Sequence, residues 1–557
     1  MNLDDRRESM GQKKESSGNF VVQGSILATA SIVARIIGLI YRVPVTRIIG
    51  DYGNGLYGFA FEVYSMVLLI SSYSLPTAIS KLVAARTHKG EHKNAYKIFK
   101  AGLFFTLVVG ALAGSITFIL ADYISNTIMK DPMIALSLRV LAPTIFIVAI
   151  MGVLRGYFQG LGTMMPTAVS QIVEQIVNAF VSVIAAYYLF AYGSRVANVL
   201  QNEDYAPAYG AAGSSMGTLL GAIVGGAFLG FMMLIYKRVL KKKMAKDHTE
   251  YSESYRTIYI LLFSTIVPIV LSTAVYNSSV FLDGIVFNNV MIKKGVSNPT
   301  ELFGVFTGKY RLLVNVPVSI ASAMAASMIP SLTAAVTARS RRLINQKIGI
   351  SIRFIMVISI PCTVGLAVLG SPILQLLFGD ESQLPANMLM IGSLAVVLYS
   401  LSTLSNGILQ GLNRMNVPVV NAFISLVVHI IVVYILLTFT KLNIYAVVIG
   451  NVIFALLMCM LNSMVIRRIT KYSQEIKKTF VIPGIASVVM GIVSYVVYFG
   501  IYWLTKNNDI SVIIALGMAV AVYGIVLLLL KGFTEEELRS LPKGTLLLKV
   551  AKKLHLM

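Results

Sequence analysis

Long apolar runs separated by short polar stretches dominate the pattern of this chain. Fourteen runs approach or exceed the roughly 20 helical residues that the hydrocarbon core of a bilayer requires. Isolated strands leave their backbone groups unsatisfied in lipid, and the period-2 alternation of a membrane barrel is absent, so helices are predicted. The predicted spans are 21–48, 57–83, 98–121, 134–152, 166–192, 210–236, 257–291, 301–336, 350–377, 386–411, 417–440, 443–466, 480–504 and 510–531.

The polar stretches carry positive charge asymmetrically. About 34 of the 47 Lys and Arg lie at one set of helix ends and about 6 at the other, which places both termini in the cytoplasm. An even number of spans requires the same arrangement. The predicted cytoplasmic stretches are the N-terminus, 84–100, 153–165, 237–256, 337–349, 412–416, 467–479 and the tail. The outer stretches include 51–55, 378–387 and 506–509.

The chain also repeats itself at an offset of six helices. Residues 76–86 (PTAISKLVAAR) echo 330–339 (PSLTAAVTAR), and 156–166 (GYFQGLGTMMP) echo 407–418 (GILQGLNRMNVP). Six helices preserve direction, so the repeat is parallel, as in transporters that hold cargo between two lobes. Chance similarity of low-complexity membrane sequence is the alternative. The predicted divisions are an N-lobe at 1–245, a C-lobe at 246–478, a helix pair at 479–532 and a basic amphipathic tail at 533–557.

Glycine recurs every four residues in the sixth predicted span, at positions 213, 217, 221 and 225. This spacing places the glycines on one helix face and lets another helix approach closely. The run is therefore predicted to be a packing face rather than a phosphate-binding loop.

Composition agrees with a membrane protein. The 557 residues are 56% hydrophobic and 13% charged, whereas a soluble chain carries about 25% charged residues. The net charge of +23 lies beside apolar helices, so topology and anionic lipids explain it and no nucleic-acid partner is expected. Cys362 and Cys459 lie in apolar runs and predict neither a disulfide nor a metal site. His88 and His92 lie in a charged loop and are interpreted as solvated, so no metal or cofactor is expected.

Ionisable side chains deep in the predicted helices are the candidate functional residues, because each costs roughly 2.5–3.5 kcal/mol at the bilayer centre. Arg35 lies near the middle of the first helix, and Arg42 follows at i+7 on the same face. Arg311 lies in the eighth helix with Asn315 at i+4. Lys309 is counted with them as a candidate for pyrophosphate binding, although it should point elsewhere unless the intervening glycine loosens the helix.

Three acids lie at similar depth in the predicted helices: Glu62, Glu174 and Asp283. Whether the arginines are neutralised depends on whether these acids pair with them. Glu174 belongs to a polar stripe at i, i+3, i+4 and i+7, made of Gln171, Glu174, Gln175 and Asn178. Internal ion pairs are one interpretation. Otherwise the arginines face a water-filled cavity of net positive charge. Such a cavity favours a phosphate-bearing cargo, because guanidinium groups bind phosphate bidentately.

A second polar line follows the eleventh helix through Asn421, Ser425 and His429. Ion binding or proton relay is one hypothesis for His429, and a satisfied core histidine is the other. The sequence shows no nucleophile–base pair or paired carboxylates of the kind that catalysis needs, so an enzyme is not predicted.

Several motifs resemble one family: 34–44 (ARIIGLIYRVP), 49–57 (IGDYGNGLY), 155–160 (RGYFQG) and 166–175 (PTAVSQIVEQ). They are similar to the polysaccharide-transporter branch of the multidrug/oligosaccharidyl-lipid/polysaccharide (MOP) exporter superfamily, above all to MurJ-type lipid II flippases and the stage V sporulation protein B group. The resemblance implies a fourteen-helix, all-α, MATE-like fold with a central cationic cavity, in the bacterial cytoplasmic membrane. It maps pyrophosphate binding onto Arg35, Arg42 and Arg311, and it implies driving by membrane potential or by Na⁺ or H⁺.

The predicted function is a flippase for an undecaprenyl-pyrophosphate-linked cell-wall precursor, with lipid II as the leading cargo. Its partners would be the cargo and the surrounding membrane lipids, and a monomer is expected. Capsule or teichoic precursors are alternative cargoes. A cation-coupled drug exporter that depends on Glu174 or Asp283 is a further hypothesis, as is a membrane glycosyltransferase or a non-transporting scaffold.

Overall fold

The computed structural model describes residues 26–532, apart from 28, 248 and 250. The described chain is all-α, and the predicted tail at 533–557 lies outside the described residues. Besides short helical turns, the helices are α1 Thr29–Ile40, α2 Arg42–Ser71, α3 Leu75–Thr87, α4 His92–Ile119, α5 Ile134–Gly160, α6 Met165–Leu200, α7 Tyr205–Ala245, α8 Tyr255–Lys293, α9 Pro299–Thr337, α10 Arg341–Phe378, α11 Gln383–Gly392, α12 Leu394–Gly411, α13 Asn416–Phe439, α14 Tyr445–Thr470, α15 Lys477–Thr505 and α16 Asn508–Leu529.

The chain reverses direction inside α2, at Gly50. This residue has φ 69°, a left-handed conformation that glycine adopts without a steric penalty. The Thr46 hydroxyl lies 3.3 Å from the Asn54 side-chain oxygen, and the Arg42 guanidinium carbon lies 5.2 Å from the centroid of the Tyr57 ring. A straight helix would separate residues 42 and 57 by about 22 Å, so the two arms of α2 run back to back.

The number of membrane passes follows from this reversal. Twelve described helical stretches are long and apolar enough to cross a membrane, and α11 with α12, bent by 47°, adds a thirteenth. Division at Gly50 assigns α1 and residues 42–49 to one pass and residues 51–87 to the next, which gives the predicted fourteen. Residues 51–55, which were predicted to be a loop, are helical from the reversal onward, and the predicted outer side of this corner stays a prediction.

Contacts divide the chain into two compact units, Met1–Gly304 and Val305–Met557. The described part of the first unit holds α1 to α8 and the first residues of α9, and that of the second holds the remainder of α9 and α10 to α16. The predicted lobe boundary after residue 245 follows the sequence repeat rather than these contacts, and it stays a prediction.

The echoed segments of the first unit pack directly on each other through glycine. A Cβ added at Gly156 would lie 2.7 Å from the Pro76 carbonyl oxygen, and one at Gly160 would lie 2.7 Å from the Val83 Cβ. Side chains at these positions would therefore force α5 away from α3.

The corresponding segments of the second unit also meet at glycine. A Cβ at Gly411 would lie 3.0 Å from a Leu332 methyl carbon, and one at Gly407 would lie 2.9 Å from the Cβ of Ala325, which precedes the echoed segment on α9. The same pair of sequence motifs thus builds a close helix crossing in each unit, as a structural repeat requires.

The glycine face of α7 packs on α6, which confirms the predicted packing face. A Cβ at Gly213 would lie 2.4 Å from the Ala185 carbonyl oxygen, and one at Gly221 would lie 2.7 Å from that of Glu174. This contact fixes the helix that carries the polar stripe.

Candidate functional site

The polar stripe of α6 holds the first helix of the chain in place. The Ser31 hydroxyl donates to the Gln171 side-chain oxygen at 3.1 Å. Ten residues further on, the Tyr41 hydroxyl accepts from the Asn178 side-chain nitrogen at 3.3 Å. These bonds position the helical segment that carries both candidate arginines of the first unit.

Glu174, the acid of the stripe, pairs with Arg155 of α5. The two side chains are 19% and 14% exposed and lie 2.7 Å apart, and Arg155 also donates to the Ser170 hydroxyl at 3.0 Å. The predicted loop at Arg155 is wrong, because α5 continues to Gly160, and the cytoplasmic side predicted for this stretch stays a prediction. The interpretation as an internal ion pair is therefore correct for Glu174, but neither candidate arginine is its partner.

Arg42 lies against two aromatic rings rather than an acid. Its guanidinium carbon is 5.2 Å from the Tyr57 ring centroid and 5.7 Å from that of Phe61. Aromatic faces attract a cation without neutralising it. No described carboxylate forms an ion pair with Arg42, so this half-buried group keeps its positive charge.

Arg35 lies one turn beyond Ser31 on the same face of α1, and its side chain is exposed. Within the described residues it has no carboxylate partner. The i+7 spacing places Arg35 and Arg42 along one side of the first helix. The first unit thus presents two uncompensated guanidinium groups, the donor type best suited to phosphate oxygens.

Lys309 lies in a π-helical turn of α9, Phe306–Tyr310. Its side chain is 7% exposed and forms an ion pair with Asp380. Burial favours a higher pKa for Asp380, but hydrogen bonds from Lys309 and Ser382 lower that pKa below its usual value. The predicted role of Lys309 in pyrophosphate binding stays a prediction and requires this pair to open.

The other predicted residues of α9 lie just beyond the π-helical turn. Arg311 is half-buried, and Asn315, one helical turn later, is exposed. The role of Arg311 in pyrophosphate binding and that of Asn315 as a polar cavity residue stay predictions.

His429 is fully buried and lies edge-on to the Phe454 ring, with centroids 5.8 Å apart. This environment favours the core-histidine interpretation over a proton relay. On the same helix, Asn421 donates to the Asn462 side-chain oxygen at 2.8 Å. Asp283 of α8 is buried, with 2% exposure, and the coupling roles of Asp283 and His429 stay predictions.

Asp131, which the sequence did not single out, joins three parts of the first unit. Its carboxylate accepts from the Tyr52 hydroxyl at 3.1 Å, from the Thr300 hydroxyl at 2.7 Å and from the Met133 backbone N–H at 3.0 Å. Burial raises the pKa of Asp131 above its usual value despite these bonds. The arrangement fixes the beginning of α9 against the Gly50 reversal. The part of the chain that the structure describes shows no cluster of three metal-ligating side chains.

These features define a multi-pass α-helical membrane protein. Its fold is similar to that of a solved multidrug resistance MATE family transporter of the MOP superfamily in an inward-facing conformation. The two align with a TM-score of 0.60 and 17% identity over 80% of this chain and 99% of that chain.

The profile of the polysaccharide biosynthesis protein family matches residues 21–336, and that of the MatE family matches residues 312–435. The chain belongs to the polysaccharide biosynthesis protein family. It is 28% identical to the lipid II flippase MurJ of Bacillus subtilis (strain 168), over 90% of this chain and 93% of that protein. It is 24% identical to the stage V sporulation protein B of the same organism, over 93% of this chain and 96% of that protein. The family resemblance inferred from the sequence motifs is thereby confirmed.

Proposed function

We propose that this protein is a flippase that carries a pyrophosphate-linked lipid precursor of the cell wall across the cytoplasmic membrane by alternating access. The observation that carries the proposal is that Arg35 and Arg42, which the i+7 spacing predicts on one helix side, have no described carboxylate partner. The similarity to MurJ and to stage V sporulation protein B supports a lipid-linked cargo, and lipid II is our leading candidate.

The chemistry of the two arginines suits this cargo. Each guanidinium stays charged at any physiological pH and offers parallel N–H donors to phosphate oxygens. Charge-assisted bonds of this kind are roughly twice as strong as neutral ones. The aromatic faces beneath Arg42 restrict its motion while leaving its charge available. The cargo's prenyl chain would remain in lipid while its head group crosses, and no covalent step is required of the protein.

Binding of a pyrophosphate lipid to the purified protein tests this role. Native mass spectrometry should show a retained undecaprenyl-pyrophosphate species. Arg35→Ala or Arg42→Ala should weaken its binding by about 10- to 100-fold, the effect of losing charge-assisted hydrogen bonds. Arg311→Ala tests the predicted contribution of the second unit. Arg238→Ala, which removes an exposed arginine of α7, is the matched control. Unchanged binding by both first-helix variants would refute the site.

Complementation distinguishes the cargoes. A strain depleted of its lipid II flippase should grow when it expresses this protein and fail with Arg35→Ala. Rescue only of strains that lack a capsule or teichoic precursor flippase would reassign the cargo and leave the arginine site intact. A cation-coupled drug exporter receives less support, because Glu174 is already paired with Arg155.

A further inference from the structure

A cavity of about 600 Å³ opens in the second unit, away from the residues assigned to cargo binding. Its walls come from α10, α12, α14 and the segment that leads into α15. Toward one end the lining is mostly aliphatic, with buried Leu398, exposed Leu456 and Cys459, so this part is a groove open to the protein surface. The other end, here called the mouth, is polar, with Arg467 and Ser473. This combination is the one expected of a site for an amphipathic molecule.

The length of the cavity matches one leaflet of a bilayer. Along α14 it extends from Leu456 to Arg467, and eleven helical residues rise about 16 Å. Half of the hydrocarbon core is about 15 Å. With Arg467 at the level of lipid head groups, as the predicted topology places it, the Leu456 end would lie near the middle of the membrane.

The mouth carries an excess of positive charge. Arg467 is exposed and has no ion-pair partner in the described chain, and Lys471, one helical turn later, is also exposed. The nearby acid Glu475 lies 3.6 Å from Lys478. These charges lie on the predicted cytoplasmic side, where anionic lipids give the leaflet a negative surface potential.

The segment over the mouth is held by its own hydrogen bonds. The Tyr472 hydroxyl donates to the Gln474 side-chain oxygen at 3.1 Å, and the Gln474 amide nitrogen donates to the Thr479 hydroxyl at 3.0 Å. The Tyr472 backbone N–H donates to the Thr470 hydroxyl at 3.1 Å. A bound molecule would therefore enter a formed site rather than order a loose segment.

We infer that this cavity binds an anionic phospholipid of the cytoplasmic leaflet. One acyl chain fills the aliphatic slot, and the phosphate accepts hydrogen bonds from Arg467 and the Ser473 hydroxyl. The lipid would secure the connection between α14 and α15. This site is independent of the flipped cargo, because it shares no residue with the proposed arginine site.

Lipid retention by the purified full-length protein tests the charge requirement. Native mass spectrometry after reconstitution in phosphatidylglycerol or in phosphatidylcholine with the same chains should show one retained phosphatidylglycerol and no retained phosphatidylcholine. Arg467→Gln should weaken retention about tenfold or more. Arg468→Gln removes the same charge one residue away, outside the cavity lining, and should leave retention unchanged. Equal retention of both lipids, or equal effects of the two variants, would overturn the proposal.

Filling the slot tests the position of the acyl chain. Ser463 and Met464 are both exposed, but only Ser463 lines the cavity. Ser463→Trp should abolish phosphatidylglycerol retention, and Met464→Trp should preserve it. Full retention of phosphatidylglycerol by Ser463→Trp would contradict the placement of an acyl chain in this part of the cavity.

Cys459 provides a readout in a protein with an unaltered cavity. The chain contains two cysteines, so Cys362→Ser leaves Cys459 as the single thiol. A membrane-permeant maleimide should modify Cys459 about tenfold more slowly when phosphatidylglycerol is present at ten times its Kd. Equal rates of Cys459 modification in phosphatidylglycerol and in phosphatidylcholine would show that the cavity does not select an anionic lipid. This holds even if both rates are low because another molecule occupies the cavity.

Discussion

Arg42 illustrates how a single charged group is kept available inside an apolar helix. Its partners are the ring faces of Tyr57 and Phe61, which contribute about 0.5–2 kcal/mol without an opposing charge. Lysine would retain the charge but lose the planar fork that contacts two phosphate oxygens. We therefore expect Arg42→Lys to bind the pyrophosphate lipid about tenfold more weakly, as measured by titration in native mass spectrometry. Wild-type affinity in Arg42→Lys would mean that the charge alone is sufficient.

The Glu174–Arg155 pair supports a second prediction at this scale. Removal of one partner of a largely buried ion pair leaves an uncompensated charge and costs about 3–5 kcal/mol. Glu174→Gln should lower the thermal midpoint measured by fluorimetry in detergent, and adding Arg155→Met should restore much of the loss. If Glu174 instead couples transport to a cation, Glu174→Gln should abolish that coupling with an unchanged midpoint.

The sequence predicted the helical location of the candidate side chains better than their pairing. Arg35 and Arg42 both lie in helices, and the shared side that their i+7 spacing predicts stays a prediction. The partner of Glu174 was missed because Arg155 was assigned to a loop. Lys309 and Asp380 are 71 residues apart. Helical spacing predicts contacts only between residues that are close in sequence, so it could not predict this ion pair.

At the scale of elements, α6 and α7 depend on glycine at their contact. A Cβ at Gly217 would lie 2.0 Å from the Ser182 hydroxyl oxygen, whereas one at Gly230 of the same helix would meet nothing within 4 Å. Gly217→Ala should destabilise the protein by about 1–3 kcal/mol through overpacking. Gly230→Ala should be neutral or stabilising by about 0.5–1 kcal/mol. Equal thermal midpoints for the two variants would contradict this account of the interface.

The connection between α7 and α8 predicts a dependence on pH. Burial favours a higher pKa for Asp247, but bonds from Thr249 and Lys93 lower that pKa to about 2. An unfolded Asp titrates near about 3.9, so this contribution to stability is complete above that pH and is lost as the pH falls towards 2. Asp247→Asn should be less stable than the wild type at pH 6, and the difference should shrink by pH 2.5. A constant difference across this range would exclude the carboxylate as its source.

Sequence patterns predicted which stretches are helical and missed how two of them begin or end. Apolar length alone marks a span, because the bilayer allows few other structures. The boundaries at 51–55 and 153–165 were wrong, since one residue at Gly50 accomplishes the reversal and polar residues continue α5 to Gly160. Neither the reversal at Gly50 nor the continuation of α5 to Gly160 changes the hydrophobicity of the adjoining apolar run, so the hydrophobic pattern could not predict them.

At the scale of the molecule, the sequence predicted the fold class and the number of passes, and the echoed segments that it revealed form close helix crossings. We propose that both termini face the cytoplasm. In a background of Cys362→Ser and Cys459→Ser, a membrane-impermeant maleimide should label Asn507→Cys in intact cells. It should label Asn413→Cys only after lysis. The reverse result would invert the topology and move the cationic cavity mouth to the outer leaflet.

The reversal at Gly50 joins residues 42–49, which carry Arg42, to residues 51–71 without an intervening loop. A one-residue hinge permits rotation about two backbone dihedrals but cannot lengthen. The two arms therefore cannot slide past each other by a helical turn, and a shift of the guanidinium groups must drag residues 51–71 with it. Insertion of a flexible linker at Gly50 would allow the arginine-bearing residues to move independently of residues 51–71.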